Sequence, residues 1–145
     1  MNTKLKLIAE TKEDLSVIAA SVQDAIVKVS GILFGESAQV LTLKLSRFMH
    51  EKNSSEAGKR IKAGLRFYNI LGLRGKDIDR NDPDAFMVLL DIAFDANKKP
   101  PGGILTFIFA GGGELKAQTD CLEARLMDYQ EARTTTSLPL HPESE

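Results

Sequence analysis

Hydrophobic and polar residues alternate along most of the chain, which is the pattern of strands that bury one face of a sheet. Leu41, Leu43 and Leu45, for example, alternate with polar side chains. A short strand is predicted at residues 5–7. Seven further strands are predicted at residues 26–34, 41–46, 61–68, 70–74, from residue 87 onwards, 104–110 and 114–119.

A helix is predicted near the N-terminus, at residues 12–25. Thr11 is a typical N-cap, and the acidic residues after it suit the positive end of the helix dipole. Leu15, Ile18 and Val22 follow at helical spacing. The sequence therefore predicts an amphipathic helix between the first two strands.

A second helix is predicted to close the domain. Asp120 and Glu123 have the spacing of a capping box. Leu122, Leu126 and Tyr129 would then form the apolar face of this helix.

Glycine and proline mark the connections. Gly111, Gly112 and Gly113 predict a hairpin turn, because glycine tolerates positive φ. The Asp82-Pro83-Asp84 triplet predicts a turn or the start of a helix. Residues 51–58 are predicted to be a mobile loop, and residues 134–145 a disordered tail.

These elements predict one α+β domain over residues 1–133, with a mostly antiparallel sheet of about seven strands, an N-terminal helix and a closing C-terminal helix. Two arrangements are compatible with this order. One is a pleckstrin-homology-like barrel, which has seven antiparallel strands followed by a helix. The other is an open antiparallel sheet with both helices on one face.

Composition narrows the function classes. The net charge of −1 gives no global reason to expect DNA or an anionic membrane as partner. Cys121 is the single cysteine, which excludes an intramolecular disulfide and a cysteine zinc cluster. The sequence has neither a signal-peptide pattern nor a membrane-spanning run, so we expect a cytoplasmic protein without membrane contact.

Four segments resemble a known family: residues 5–29, the Ser46-Arg47-Phe48 triplet, residues 75–85 and residues 110–128. Together they resemble an uncharacterised alphaproteobacterial family, domain of unknown function 2948. The resemblance implies a small cytoplasmic bacterial protein. It implies no activity, ligand or catalytic residue.

Positive charge is concentrated between residues 59 and 80. Seven basic residues against two aspartates give this segment a net charge of +5, which leaves −6 for the remainder. Lys62 and Arg66 would project from one strand face, with Arg74 beside them and Lys76 following. We predict these four residues as a candidate ligand or partner face, against the alternative of a solvated face that protects an edge strand.

Two other candidate sites, a calcium loop and a phosphate loop, lack residues that their chemistry requires. Asp77, Asp79 and Asn81 are spaced like the start of a calcium loop, but Asp82 stands where glycine is needed and Val88 where glutamate is needed. Asx-turn chemistry explains these residues better. The glycine triplet lacks the following helix and Lys-Ser/Thr pair of a phosphate loop.

Cys121 would lie near the start of the predicted last helix, where the dipole lowers a thiol pKa. The simpler interpretation is a small packed hydrophobe.

Three functions therefore stay open. The first is a non-enzymatic binding or adaptor domain with an unidentified protein partner. The second is nucleic-acid binding through residues 59–80, against which the acidic remainder argues. The third is an enzyme with a site assembled from scattered residues such as Arg47, His50, Asp77 and Asp79. No catalytic, metal or cofactor residue is assigned, and a homodimer is compatible with a small sheet domain.

Overall fold

The computed structural model describes residues 4–49 and 59–129, together with the backbone of a two-residue strand, Arg133–Thr134. His50, the predicted loop at residues 51–58 and residues 135–145 of the predicted tail lie outside the described residues. Thr134, predicted as the first residue of the disordered tail, instead belongs to this strand.

The N-terminal strand and helix form where the sequence predicts them. Strand β1 spans Lys6–Ala9 and helix α1 spans Lys12–Ser21. The side chain of Thr11 accepts a hydrogen bond from the N–H of Asp14 at 3.0 Å, and the Asp14 carboxylate accepts one from the N–H of Glu10 at 3.1 Å. Two otherwise unpaired donors are thereby satisfied, which fixes where the helix begins.

The helix ends four residues before the predicted boundary. The N–H of Asp24 donates to the carbonyl of Leu89 at 2.8 Å, and Ala25 already belongs to the next strand. Pairing with a neighbouring strand therefore limits the helix.

The seven predicted strands after the helix are all present. They are β2 Ala25–Gly35, β3 Val40–Phe48, β4 Lys59–Phe67, β5 Ile70–Lys76, β6 Phe86–Ala96, β7 Gly103–Phe109 and β8 Glu114–Thr119. The predicted glycine hairpin joins β7 and β8 through a 3-10 turn, in which Gly111 and Gly112 have φ values of 86° and 102°. The Asp82-Pro83-Asp84 segment forms turns and no helix.

The closing C-terminal helix is a wrong prediction. Its place is taken by strand β9, Ala124–Asp128, which pairs with β1 and with β4. Ala124 and Leu126 point inward, whereas Arg125 and Met127 point outward, as alternation requires. Tyr129, predicted on the buried helix face, is 50% exposed.

Tertiary pairing overrides the local capping signal at Asp120. The N–H of Asp120 donates to the carbonyl of Asn69, and the N–H of Tyr68 donates to the carbonyl of Glu123. The Thr119 hydroxyl lies 3.0 Å from the Asn69 carbonyl and accepts from the N–H of Cys121 at 3.2 Å. The backbone groups that a helix would use are thus bonded to a neighbouring segment.

All strand pairs are antiparallel and form one sheet in the order β1-β9-β4-β3-β2-β6-β7-β8-β5, while the short β10, Arg133–Thr134, extends the edge of β4. The described residues thus hold ten strands, two more than the short first strand and the seven further strands that were predicted. The sheet is open, with β1 and β5 as its edges. The open sheet and the missing C-terminal helix both depart from the pleckstrin-homology-like arrangement. The alternative, an open antiparallel sheet, is closer, although residues 4–49 and 59–129 hold one α-helix instead of the two predicted.

The sheet bends sharply where β4 runs into β5. Only Tyr68 and Asn69 separate them, and Asn69 has a φ of 61°, a left-handed conformation that asparagine tolerates better than most residues. β4 pairs with β9, but β5 pairs with β8. The chain therefore turns the same corner twice, once between β4 and β5 and once between β8 and β9, and the sheet curls around one core.

The core lies inside this curl and is closed at one side by α1. Phe67 and Phe107 meet edge to face with their ring centroids 5.1 Å apart. Leu15, Ile18 and Val22 of the helix region are buried against the same cluster, as their spacing predicts.

We expect the Ala124→Lys variant to unfold or to lose most of its stability, because Ala124 is fully buried in β9. On the predicted helix, the same side chain would have faced solvent. Met127→Lys is the matched control, since Met127 is 46% exposed. Urea denaturation followed by circular dichroism measures both; equal stabilities would contradict the assignment of β9.

Candidate functional site

The outward face of β4 forms the centre of the candidate site. Ile61, Ala63 and Leu65 are buried, so the intervening residues Lys62 and Gly64 project to the other side of the sheet. Arg66 and Tyr68 continue this outward row.

Neighbouring strands add further cations to the same face. Lys44 of β3 pairs with Gly64, and Arg125 of β9 pairs with Arg66. We use the term basic face for the outward side of β1, β9, β4 and β3. Its basic residues are Lys6, Lys44, Arg60, Lys62, Arg66 and Arg125, and no carboxylate occupies an outward position of these strands.

Gly64 leaves a shallow depression in the middle of the basic face. A Cβ atom placed on this residue would meet nothing within 4 Å. Lys62 and Arg66 flank it along the strand, about 6.6 Å away on each side. Lys44 and Met127 flank it across the strands, at about 5 Å. The backbone at the centre is therefore open and surrounded by cations.

The outer cations of the basic face are held by neighbouring groups. Arg60 donates to the Ser46 carbonyl at 2.9 Å, and burial lowers the pKa of its guanidinium while the charge of Asp24 opposes that shift. Arginine remains protonated at neutral pH despite such a shift. Arg125 lies 3.4 Å from the Glu123 carboxylate.

The inner cations of the basic face are not held by ion pairs in this way. Within residues 4–49 and 59–129, no ion pair is formed by Lys44, Lys62 or Arg66. Their charges are therefore available to a ligand.

Aromatic rings accompany the cations. The Arg125 guanidinium lies 5.5 Å from the ring centroid of Tyr68, and that of Arg60 lies 5.6 Å from the ring of Phe48. Tyr129 donates its backbone N–H to the Lys62 carbonyl, and burial raises the pKa of its hydroxyl, which stays neutral. The basic face thus combines charge with stacking surfaces.

The structure separates the four predicted site residues into two pairs. Lys62 and Arg66 lie together on β4, as predicted. Arg74 and Lys76 lie on β5, opposite Lys116 and Glu114 of β8. The expectation that Arg74 lies beside Arg66 is wrong, because the corner after Tyr68 carries β5 into a different ladder. Lys44 and Arg125 lie outside residues 59–80 and come from strands whose pairing the sequence does not reveal.

Arg47, proposed as part of a scattered enzyme site, has a different place. It is fully buried and donates from Nε to Oδ1 and from Nη2 to Oδ2 of Asp128, both at 2.9 Å. Oδ2 of Asp128 also accepts the N–H of Leu5 at 2.8 Å. This pair links β3, β9 and the chain before β1 inside the core.

The two aspartates of the scattered site are not gathered with Arg47. Asp77 and Asp79 lie exposed in the connection between β5 and β6, and His50 is outside the described residues. A cavity of about 850 Å³ between β2 and β5 is lined by none of them. Its walls combine apolar residues such as Ile32 and Phe34 with the charged residues Glu36 and Arg80.

The minor candidates resolve into local structure. The N–H of Asn81 donates to Oδ1 of Asp79 at 2.9 Å, which confirms the Asx turn. Within the described part of the chain, no cluster of three potential metal ligands occurs. Cys121 is exposed at the corner before β9, so neither the helix-dipole nor the packed-hydrophobe interpretation applies.

A family model described as a protein of unknown function, DUF2948, matches residues 5–141. The chain belongs to this family. The match confirms the resemblance found in the sequence and covers β1 to β10. DUF2948 carries no stated activity, so its members assign no role to the basic face.

No match was found among curated proteins or among solved structures. In the described part of the DUF2948 chain, the helix is too short and too polar to cross a membrane.

We expect Asp128→Ala to lower the free energy of unfolding by about 3–5 kcal/mol, because it leaves the Arg47 charge buried without this partner. Arg47→Met should cost a similar amount for the reciprocal reason. The double variant Arg47→Met/Asp128→Ala should cost clearly less than the sum of the two. Chemical denaturation of all four proteins measures this coupling, and strictly additive losses would contradict it.

Proposed function

We propose that this DUF2948 protein is a non-enzymatic binding domain that holds an anionic partner on its basic face. One observation carries the proposal: Lys44, Lys62 and Arg66 surround the bare backbone of Gly64 with no carboxylate partner among the described residues. Several like charges on one surface raise the local positive potential, which attracts an anion.

The weak overall charge does not conflict with this proposal. The whole chain carries −1, but association depends on the field over the contacting surface. The six cations of the basic face leave a net charge of −7 for the rest of the chain. Such a separation orients an approaching anion toward the basic face.

We infer an adaptor role in the cytoplasm from the way the basic face is built. The basic face is built on paired strands of a single core, and rigid elements hold binding groups more accurately than loops do. Its cations are solvated and lie outside the described cavities, so they suit a broad contact better than enclosure of a small substrate.

The charge-reversal variant Lys62→Glu/Arg66→Glu should elute from immobilised heparin at markedly lower salt than the wild-type protein. Heparin serves here as a probe of polyanion binding, and the variant removes from the centre of the basic face two cations that form no ion pair with a described residue. The salt concentration at elution is the measurement.

Arg74→Glu/Lys76→Glu is the matched control, because it changes the net charge by the same amount on β5, outside the basic face. It should elute close to the wild-type protein. Equal shifts for the two variants would show that only net charge matters and would overturn the proposal.

A further inference from the structure

The identity of the anion follows from how the basic face is built, and this inference rests on the proposed function. We propose that the partner is a single-stranded nucleic acid, with one base lying over Gly64 and its phosphates near Lys62 and Arg66.

Backbone pairing argues against an extended acidic peptide. β3, β4 and β9 each have a paired strand on both sides, so the centre of the basic face offers no free row of backbone N–H and C=O groups. A peptide strand laid across it would leave its own backbone groups without partners, whereas strand addition occurs at sheet edges. A nucleic acid has no such requirement, because its phosphates need only cations.

The depression at Gly64 fits a planar group. Its floor is bare backbone, and its walls are the Lys44 and Met127 side chains on one axis and Lys62 and Arg66 on the other. A flat base can contact this floor while the flanking cations reach the phosphates on either side. Met127, 46% exposed, adds an apolar contact for the base.

Stacking surfaces extend from this centre along the sheet. Tyr68 and Phe48 each carry a guanidinium near the ring, and Tyr129 lies beside Lys62. Bases stack on aromatic rings and on arginine planes alike. Sheets that bind single strands combine cations and aromatic groups in this way.

A duplex would use this surface poorly. Its phosphates could contact the cations, but its bases are stacked internally and cannot lie on Gly64 or Tyr68. We therefore expect single strands to bind more tightly than duplexes of the same length.

The test uses the full chain and fluorescein-labelled 12-nucleotide single strands, as RNA and as DNA, in fluorescence anisotropy titrations. Gly64→Val fills the depression without changing charge, and valine suits a strand position at which a Cβ meets nothing within 4 Å. We expect this variant to bind the single strands about tenfold more weakly, the size of one lost base contact. Gly35→Val is the control, because Gly35 has equal space at the end of β2, outside the basic face.

Heparin retention separates this inference from the proposed function. If both proposals hold, Gly64→Val keeps wild-type heparin retention but loses single-strand affinity. Heparin retention without any binding of the single strands would overturn the nucleic-acid inference and leave the anionic face intact. If the wild-type protein is neither retained on heparin nor able to bind the single strands, both proposals are overturned.

Three comparisons in the same titration decide the ligand class. Tighter binding of a 12-base-pair duplex, of a glutamate-rich peptide or of phosphatidylserine vesicles would overturn the inference. The RNA and DNA arms show which sugar the site accepts. The salt slope of single-strand binding should fall by about 1.4 in Lys62→Glu/Arg66→Glu, because two phosphate contacts are lost; an unchanged slope would contradict the assigned phosphate contacts.

Discussion

A buried pair of opposite charges fixes the register of this sheet. Arg47 of β3 and Asp128 of β9 lie on strands that flank β4, opposite Ile61 and Ala63 of that strand, and their side chains meet on its inner side. Side chains alternate along a strand, and a slip of β9 by one residue would expose Asp128 and turn Arg125 and Met127 into the core. Such a slip would leave the Arg47 charge buried without this carboxylate, which is costly. The ion pair therefore also determines which side chains face outward.

The same register determines which residues form the basic face on the outer side of the sheet. The alternation that buries Ala63 and Leu65 places Lys62, Gly64 and Arg66 on the opposite surface. The pairing of β4 with β3 and β9 then brings Lys44 and Arg125 alongside. Since each strand is paired on both sides, the backbone positions that carry these cations are fixed relative to one another. The core and the candidate site are therefore two faces of one set of strand pairings.

The sequence predicted most strands correctly because apolar and polar residues alternate along them. It failed at residues 120–129 for a physical reason: a spacing of four, as between Leu122 and Leu126, places residues on one side of both a helix and a strand. Ala124 and Asp128, which complete the strand pattern, are small or charged and carry no apolar signal, although both are buried. In the candidate site, Lys62 and Arg66 were predictable from one strand. The contributions of Lys44 and Arg125 depend on long-range pairing, and the position of Arg74 depends on a corner at Asn69, which the sequence pattern does not reveal.

An NMR titration tests the central claim most directly, because it locates a ligand without changing the protein. Adding an unlabelled hexanucleotide to the ¹⁵N-labelled chain should shift amide resonances of β3, β4 and β9, with the largest changes around Gly64. The amides of β5 and β8 should remain in place, since these strands lie beyond the corner. Shifts centred on β5 and β8, or on the cavity between β2 and β5, would contradict the assignment of the basic face as the binding surface.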